Sequence, residues 1–389
     1  MTYNFDTPVN REGTFSLKWD AAGPDTLPMW VADMDFKTAP AITEALIKRA
    51  AHGIFGYTKT PQAYYDAITA WFARRHNWQI QPNWILTAPG VVPALSAIIQ
   101  ALTQEGDKII LQTPVYNCFF SCIKDNQRQI LPNPLIYKNP TYYMDFEDLE
   151  QKAAQPGVKF LLLCNPHNPA GRVWTREELL KAAEICLRHG VKIIADEIHG
   201  ELVSPGYTYI PFASLGQEIA QHTITCTSAS KAFNIAGLQA ANIVIEDEAL
   251  RQATEQRLKT NEISALGVFG VEATIAAYTQ GEDWLNQLNA YIHQNAVFLE
   301  QYFLNHMPFL PVTRLEGTYL VWVNCQALGM SSAQLSNKMR TEGKILVNPG
   351  HLYGTEGNGF IRLNIACPQA LLKDGLDRFY QVIKNLQQI

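Results

Sequence analysis

Apolar residues concentrate in short runs at residues 108–112 (KIILQ), 159–164 (KFLLLC) and 191–195 (VKIIA), and again up to Thr225-Cys226-Thr227. Unbroken runs of this length read as strands buried on both faces. A shorter one at 84–86 precedes an apolar helix that ends at Leu102. Between the runs the spacing turns helical. Tyr64, Ile68, Trp71, Phe72 and Arg75 form one helix, and Leu179, Leu180, Ala183, Cys186 and Leu187 line another, opened by a Thr175/Glu178 capping box and closed by Gly190. The alternation from about 80 to 245 predicts a mixed, mostly parallel sheet sandwiched by helices, an α/β fold.

The texture changes from Ile263 onward. Helices dominate, including an amphipathic stretch over 283–306, before alternating strands at 319–323 and 360–365 and a closing helix. The chain therefore divides into an N-terminal arm (1–45) packing with a small α+β domain (286–389), and a large domain (46–285). A first helix is expected around Ala41 to Ala51, bounded by Pro40 and Gly53. Prolines at 132, 134 and 140 mark turns, and residues 128–155 carry no further assignment.

Strand ends are where α/β sheets collect ligands, and the polar residues after these runs are chemically suggestive. Lys231 follows Ser228-Ala229-Ser230 just past a strand, where its amine can form a Schiff base with an aldehyde cofactor; a solvated turn reads the same way. Asp196 ends the third apolar run, where an unpaired carboxylate is costly to bury. Gly90-Val91-Val92 opens a helix and offers free N–H groups to a phosphate, although Gly-to-helix turns are common. Tyr116, also at a strand end, is placed to stack on an aromatic ring, as a core tyrosine would be.

Charge and cysteines narrow the partners. Lysines and arginines number 31 against 36 acidic residues, a net charge of −5 with a pI near 6.0, which offers no footprint for nucleic acid or an anionic membrane. A small-molecule substrate is expected. The seven cysteines, at 118, 122, 164, 186, 226, 325 and 367, form no CxxC pair and no metal set, and point to the cytoplasm. No basic-then-apolar leader and no membrane-spanning run is read.

Taken with Asn165-Pro166-His167-Asn168-Pro169-Ala170-Gly171, the 28–36 opening (PMWVADMDF) and the 361–368 segment (IRLNIACP), these motifs resemble fold-type I pyridoxal-phosphate enzymes over nearly the whole chain. Within the class I/II aminotransferase family they look like the branch of cystathionine β-lyases and related cysteine-S-conjugate carbon–sulfur lyases. The resemblance implies pyridoxal 5′-phosphate on Lys231, Asp196 at its ring nitrogen, and Asn168 and His199 beside the ring hydroxyl. It implies Ser228 and Ser230 at the phosphate, Arg362 clamping the substrate α-carboxylate, and Tyr57 reaching the phosphate of a neighbouring subunit in a homodimer with shared active sites. On residues alone Tyr57 is equally a surface turn tyrosine, His199 a loop histidine and Arg362 a surface arginine. Many aminotransferases carry a phosphate-binding arginine shortly after the lysine, where this chain has Ala236-Gly237-Leu238-Gln239-Ala240-Ala241. The implied reaction is α,β-elimination from an S-substituted L-cysteine. A transaminase on the same fold, or a non-catalytic protein on a cofactor-binding scaffold, are the alternatives.

Overall fold

The computed structural model describes residues 2–387. The arm contains one helical turn, α1 (Leu17–Asp20), and a two-residue strand, β1 (Leu27–Pro28). Helices α2 (Pro40–Ala51) and α3 (Gln62–His76) precede β2 (Ile85–Ala88), α4 (Val91–Leu102), β3 (Lys108–Leu111), α5 (Asn117–Lys124) and β4 (Gln129–Pro132). A hairpin, β5 (Ile136–Lys138) and β6 (Thr141–Tyr143), then α6 (Phe146–Ala153), fill the stretch that the sequence left blank. Next come β7 (Val158–Cys164), α7 (Arg176–Arg188), β8 (Lys192–Asp196), α8 (Gln217–Gln221), β9 (Thr223–Thr227) and β10 (Ala241–Ile245). Helices α9 (Glu248–Thr260), α10 (Val268–Gln280) and α11 (Glu282–His306) lead to β11 (Leu320–Asn324) and α12 (Ser332–Thr341). Strands β12 (Ile345–Leu346), β13 (Asn348–Pro349) and β14 (Phe360–Asn364) and helix α13 (Gln369–Gln387) complete the chain.

Seven strands form the main sheet in the order β2-β10-β9-β8-β7-β3-β4. All neighbours run parallel except β10, which is antiparallel to both β2 and β9. Both faces are covered. Leu161 and Leu163 of β7 join one hydrophobic cluster and Phe160, Leu162 and Cys164 the other, so the apolar run follows from a strand with no solvent face. The capping box of α7 forms as the sequence predicts.

The smaller sheet, β11-β14-β13, packs with α11 and α13. The arm joins this part of the chain through a separate two-stranded sheet: β1 pairs in parallel with β12, and Met29 lies against Gly375 of α13, where any side chain would collide with the Met29 sulfur. A helix interior ordinarily disfavours glycine, and here its absent side chain is what seats the arm. The domain boundary expected at 285/286 falls inside α11, which runs unbroken through it.

Candidate active site

The C-terminal ends of β7, β8 and β9, the start of α4 and the arm surround a cavity of about 190 Å³. Gly90, Val91, Val92, Tyr116, Asn168, Asp196, His199, Ser230 and Lys231 line it, which brings together residues that the sequence singled out across 140 positions of chain. Each sits where it does because an apolar strand ends beneath it.

Asp196, the last residue of β8, is buried with one bond to its carboxylate, from the Ile198 N–H at 3.1 Å. Burial pushes its carboxyl up to about 7, against the pull of that N–H and of Lys231. Lys231 lies beyond β9, and its ammonium donates to the Ala32 carbonyl at 2.7 Å. Burial first, and Arg362 second, bring this amine down to about 8, although Asp33 and Asp196 oppose them. His199 is buried and pressed edge-on to Tyr319, its acid strength raised by burial and by the Lys231 and Arg362 charges until it titrates at about 3. It is a neutral imidazole, and its Nδ1 has no partner.

Arg362 points inward from β14. Its Nη1 donates to Asn168 Oδ1 at 3.0 Å, its Nη2 to the Trp30 carbonyl at 2.7 Å, and its face lies 5.0 Å from the Tyr353 ring centre. Nε is buried and unpaired. On the cavity wall, α4 begins at Gly90: its first backbone bond is made by the Ala94 N–H, and Pro93 has no N–H. The Val91 and Val92 N–H groups therefore belong to the free amides of a helix start, where the dipole favours an anion.

Arg362 meets the cavity wall only through Asn168, and two further candidates stand apart. Ser228 is not part of the cavity wall: its hydroxyl donates to the Ala240 carbonyl at 2.6 Å and accepts from the Ser230 N–H at 3.0 Å, so it shapes the turn that carries Ser230 and Lys231. Tyr57 is fully exposed on the 53–60 loop, away from the cavity of its own chain, in the company of exposed Ile54 and Phe55.

The 28–36 stretch, quoted from the sequence only for the family likeness, contains a strap, residues 30–34, whose Ala32 lines the cavity and whose bonding sequence reasoning did not foresee. Its main-chain oxygens are held in succession. Trp30 O accepts from Arg362 and from Asn348 Nδ2 (2.9 Å), Val31 O and Asp33 O both accept from Asn364 Nδ2 (2.6 Å each), and Ala32 O accepts from Lys231 and from the Tyr319 hydroxyl (2.9 Å). Met34 O takes Asn234 Nδ2 (3.0 Å) and Arg11 (2.9 Å). Ion pairs of Arg11 and Lys18 with Asp33 and Asp35 anchor the strap from outside. The signal available was the pair of aspartates in Trp30-Val31-Ala32-Asp33-Met34-Asp35, two acids in a stretch otherwise apolar.

The aminotransferase class I and II family model matches residues 25–379. Cystathionine beta-lyase PatB of Bacillus subtilis is 46% identical over 380 residues, covering 96% of this chain and 98% of that protein. Cystalysin of Treponema denticola, whose crystal structure contains a pyridoxal 5′-phosphate cofactor, superposes with a TM-score of 0.97 at 35% identity, covering 99% of this chain and 100% of the other. A PLP-bound C-S lyase of Staphylococcus hominis gives 0.92 at 31% identity, covering 98% and 99%. With a family match over residues 25–379 and a 46% identical relative over nearly its whole length, this chain belongs to the class I and II aminotransferase family.

Proposed function

We propose that the protein is a pyridoxal-phosphate-dependent carbon–sulfur β-lyase that converts cystathionine or other S-substituted L-cysteines and water to a thiol, pyruvate and ammonia. The observation that carries this reading is that Lys231 and Asp196 line one cavity and that Arg362 donates to Asn168 of the same wall. Lyase rather than transaminase is supported by the relatives named for carbon–sulfur cleavage, at 46% identity over 380 residues and at 31% identity.

The residues present fit the cofactor. A buried carboxylate with a single bond, an unpaired imidazole nitrogen and free helix-start amides are groups that a pyridine nitrogen, a ring hydroxyl and a phosphate would satisfy. When bound, pyridoxal phosphate supplies an electron sink for the Cα carbanion. Lys231 would hold its aldehyde, and the free Lys231 amine would take the Cα proton of the substrate, a task suited to a group brought down to about 8 and so partly unprotonated near neutrality. Asp196 would stay ionised beside the ring nitrogen, which would reverse the cost of burying it. Neutral His199 and Asn168 would serve the ring hydroxyl, and Tyr116 would pack on the ring. Val91, Val92 and Ser230 would hold the phosphate, with no later arginine to help. Arg362 receives the α-carboxylate in a two-pronged bond, using the unpaired Nε and an Nη now bonded to protein. Sulfur leaves Cβ as thiolate when the Cα proton is gone.

The active unit is a homodimer in which Tyr57 of each chain serves the phosphate of the other; its full exposure, beside exposed Ile54 and Phe55, supports a covered role. Cytoplasmic location is in keeping with seven free thiols. Among the described residues no helix is long and apolar enough to cross a membrane. The reading is tested by supplying cystathionine and measuring thiol and pyruvate beside keto-acid exchange: stoichiometric thiol and pyruvate support it, and amino-group transfer without thiol release replaces it with the transaminase.

A further inference from the structure

One oxygen in the site serves two donors. The Ala32 carbonyl accepts the Lys231 ammonium at 2.7 Å and the Tyr319 hydroxyl at 2.9 Å, and a carbonyl has two lone pairs to give. Neither partner can drift. The carbonyls on either side of Ala32 are both held by Asn364, while Tyr319 is buried, its ring edge-on to His199 at 6.1 Å and its own carbonyl bonded by the Ile365 N–H at 3.0 Å. We propose that Tyr319 is a positioning residue for the catalytic amine: by occupying one lone pair of the Ala32 oxygen, its hydroxyl limits Lys231 to a single bond there and keeps the amine available as a base.

The physical reason is competition. A carbonyl acceptor stabilises an ammonium more than a neutral amine, and a second donor on the same oxygen weakens that preference. The groups facing Nζ are otherwise divided. Asp33 on the strap, Asp196 at the end of β8 and Cys118 on α5 favour the charged form, while burial and Arg362 on β14 oppose it, and His199, a neutral imidazole, adds no charge. Tyr116 lines the same cavity with its phenol held un-ionised by burial. Tyr319 tips this balance without touching the amine. One N–H on a fixed oxygen also orients the nitrogen lone pair, as the third group of a catalytic triad orients its base.

The inference rests on Lys231 being the catalytic base, and the test separates the two claims. In cofactor-stripped protein the pH dependence of Lys231 acylation, read by peptide mass spectrometry, has an expected midpoint of about 8 in the parent. Tyr319→Phe keeps the ring against His199 and removes only the hydroxyl. Its midpoint is expected to rise by about one pH unit, roughly tenfold less free amine at neutrality. In the loaded enzyme the acid limb of kcat moves the same way with KM little changed. An unchanged midpoint overturns the proposal even if turnover falls, because a tyrosine that is only structural lowers stability and rate without moving it. Asn364→Ala provides a second arm, which stands if Tyr319→Phe does not fold. It releases both carbonyls flanking Ala32, lets that oxygen leave Nζ and should lower the midpoint; a rise or no change there counts against the proposal. Retained β-elimination in Lys231→Ala would remove the functional reading, and the midpoints would still report on Tyr319.

Discussion

Asp196→Asn should stabilise the cofactor-free protein while disabling the enzyme. The carboxyl is buried at the end of β8 and titrates at about 7 instead of its ordinary 3.8. A carboxyl raised in the fold binds its proton more tightly there than in the unfolded chain, so its stabilising contribution is complete below about 3.8 and is lost as the pH climbs through about 7. Each pH unit of that displacement corresponds to about 1.4 kcal/mol, which puts a ceiling of about 4 kcal/mol on the cost of ionised Asp196 at about pH 8. Asparagine has the same shape, no charge, and an oxygen that still accepts from the Ile198 N–H. Allowing for relaxation of the site, we expect the variant to be more stable by about 1–3 kcal/mol at about pH 8, with the gain shrinking towards zero at about pH 4. Adjacent Glu197, also raised to about 7, chiefly by burial and least by the Asp196 charge, adds its own pH dependence to both proteins; the part owed to Asp196 is relieved in the variant and acts in the same direction as the predicted gain. Urea unfolding of cofactor-stripped parent and variant at several pH values measures this, and turnover of the loaded enzymes, expected to fall at least a hundredfold, supplies the opposite sign. A variant less stable than the parent at about pH 8, or a gain that does not vary with pH, refutes the reasoning.

Lys231→Ala should abolish both the cofactor's lysine-dependent visible absorbance and thiol release, and either one surviving in an otherwise folded protein displaces the lysine from its role. Arg362→Lys keeps the charge but loses the fork that spans Asn168 and the Trp30 carbonyl; kcat/KM for cystathionine should drop about a hundredfold, and a change under threefold would mean that the substrate carboxylate binds elsewhere. Tyr57→Phe should weaken cofactor retention roughly tenfold to a hundredfold, measured by equilibrium dialysis. Mixed Lys231→Ala and Tyr57→Ala chains, each inactive alone, should regain partial activity after subunit exchange, since one site of each hybrid carries neither defect. A fully active monomer in sedimentation would contradict the shared site.

Lys231, Asp196 and the Gly90 turn were legible because each follows an apolar run, and a run buried on both faces leaves its first polar residue at the sheet's edge. The direction of β10 was not legible: Ala241–Ile245 is apolar throughout, and such a strand reads alike in either sense. Arg362 lies on a strand whose five residues are all buried, so alternation gives no inward or outward preference and its orientation came only through resemblance. The Gln129–Ala153 stretch stayed blank because β4 is an edge strand with partly exposed residues and the hairpin beside it is short. Most elusive was the strap, which acts through main-chain oxygens that every residue possesses, joined to donors about 200 to 330 positions away.

That mode of attachment separates two kinds of change. Because the strap is gripped by its carbonyls, the identity of Val31 or Ala32 matters little to the grip, and substitutions there alter shape at the cavity mouth without undoing a bond. The number of residues matters a great deal. Trp30 must meet Arg362 while Ala32 meets Lys231 and the carbonyls between and beyond meet a single Asn364 amide, so inserting or deleting one residue would shift each oxygen past its donor at once. The strap works as a ruler: it tolerates relettering and does not tolerate a change of length, which makes it the part of this site that an engineer can diversify by substitution while leaving every spacing alone.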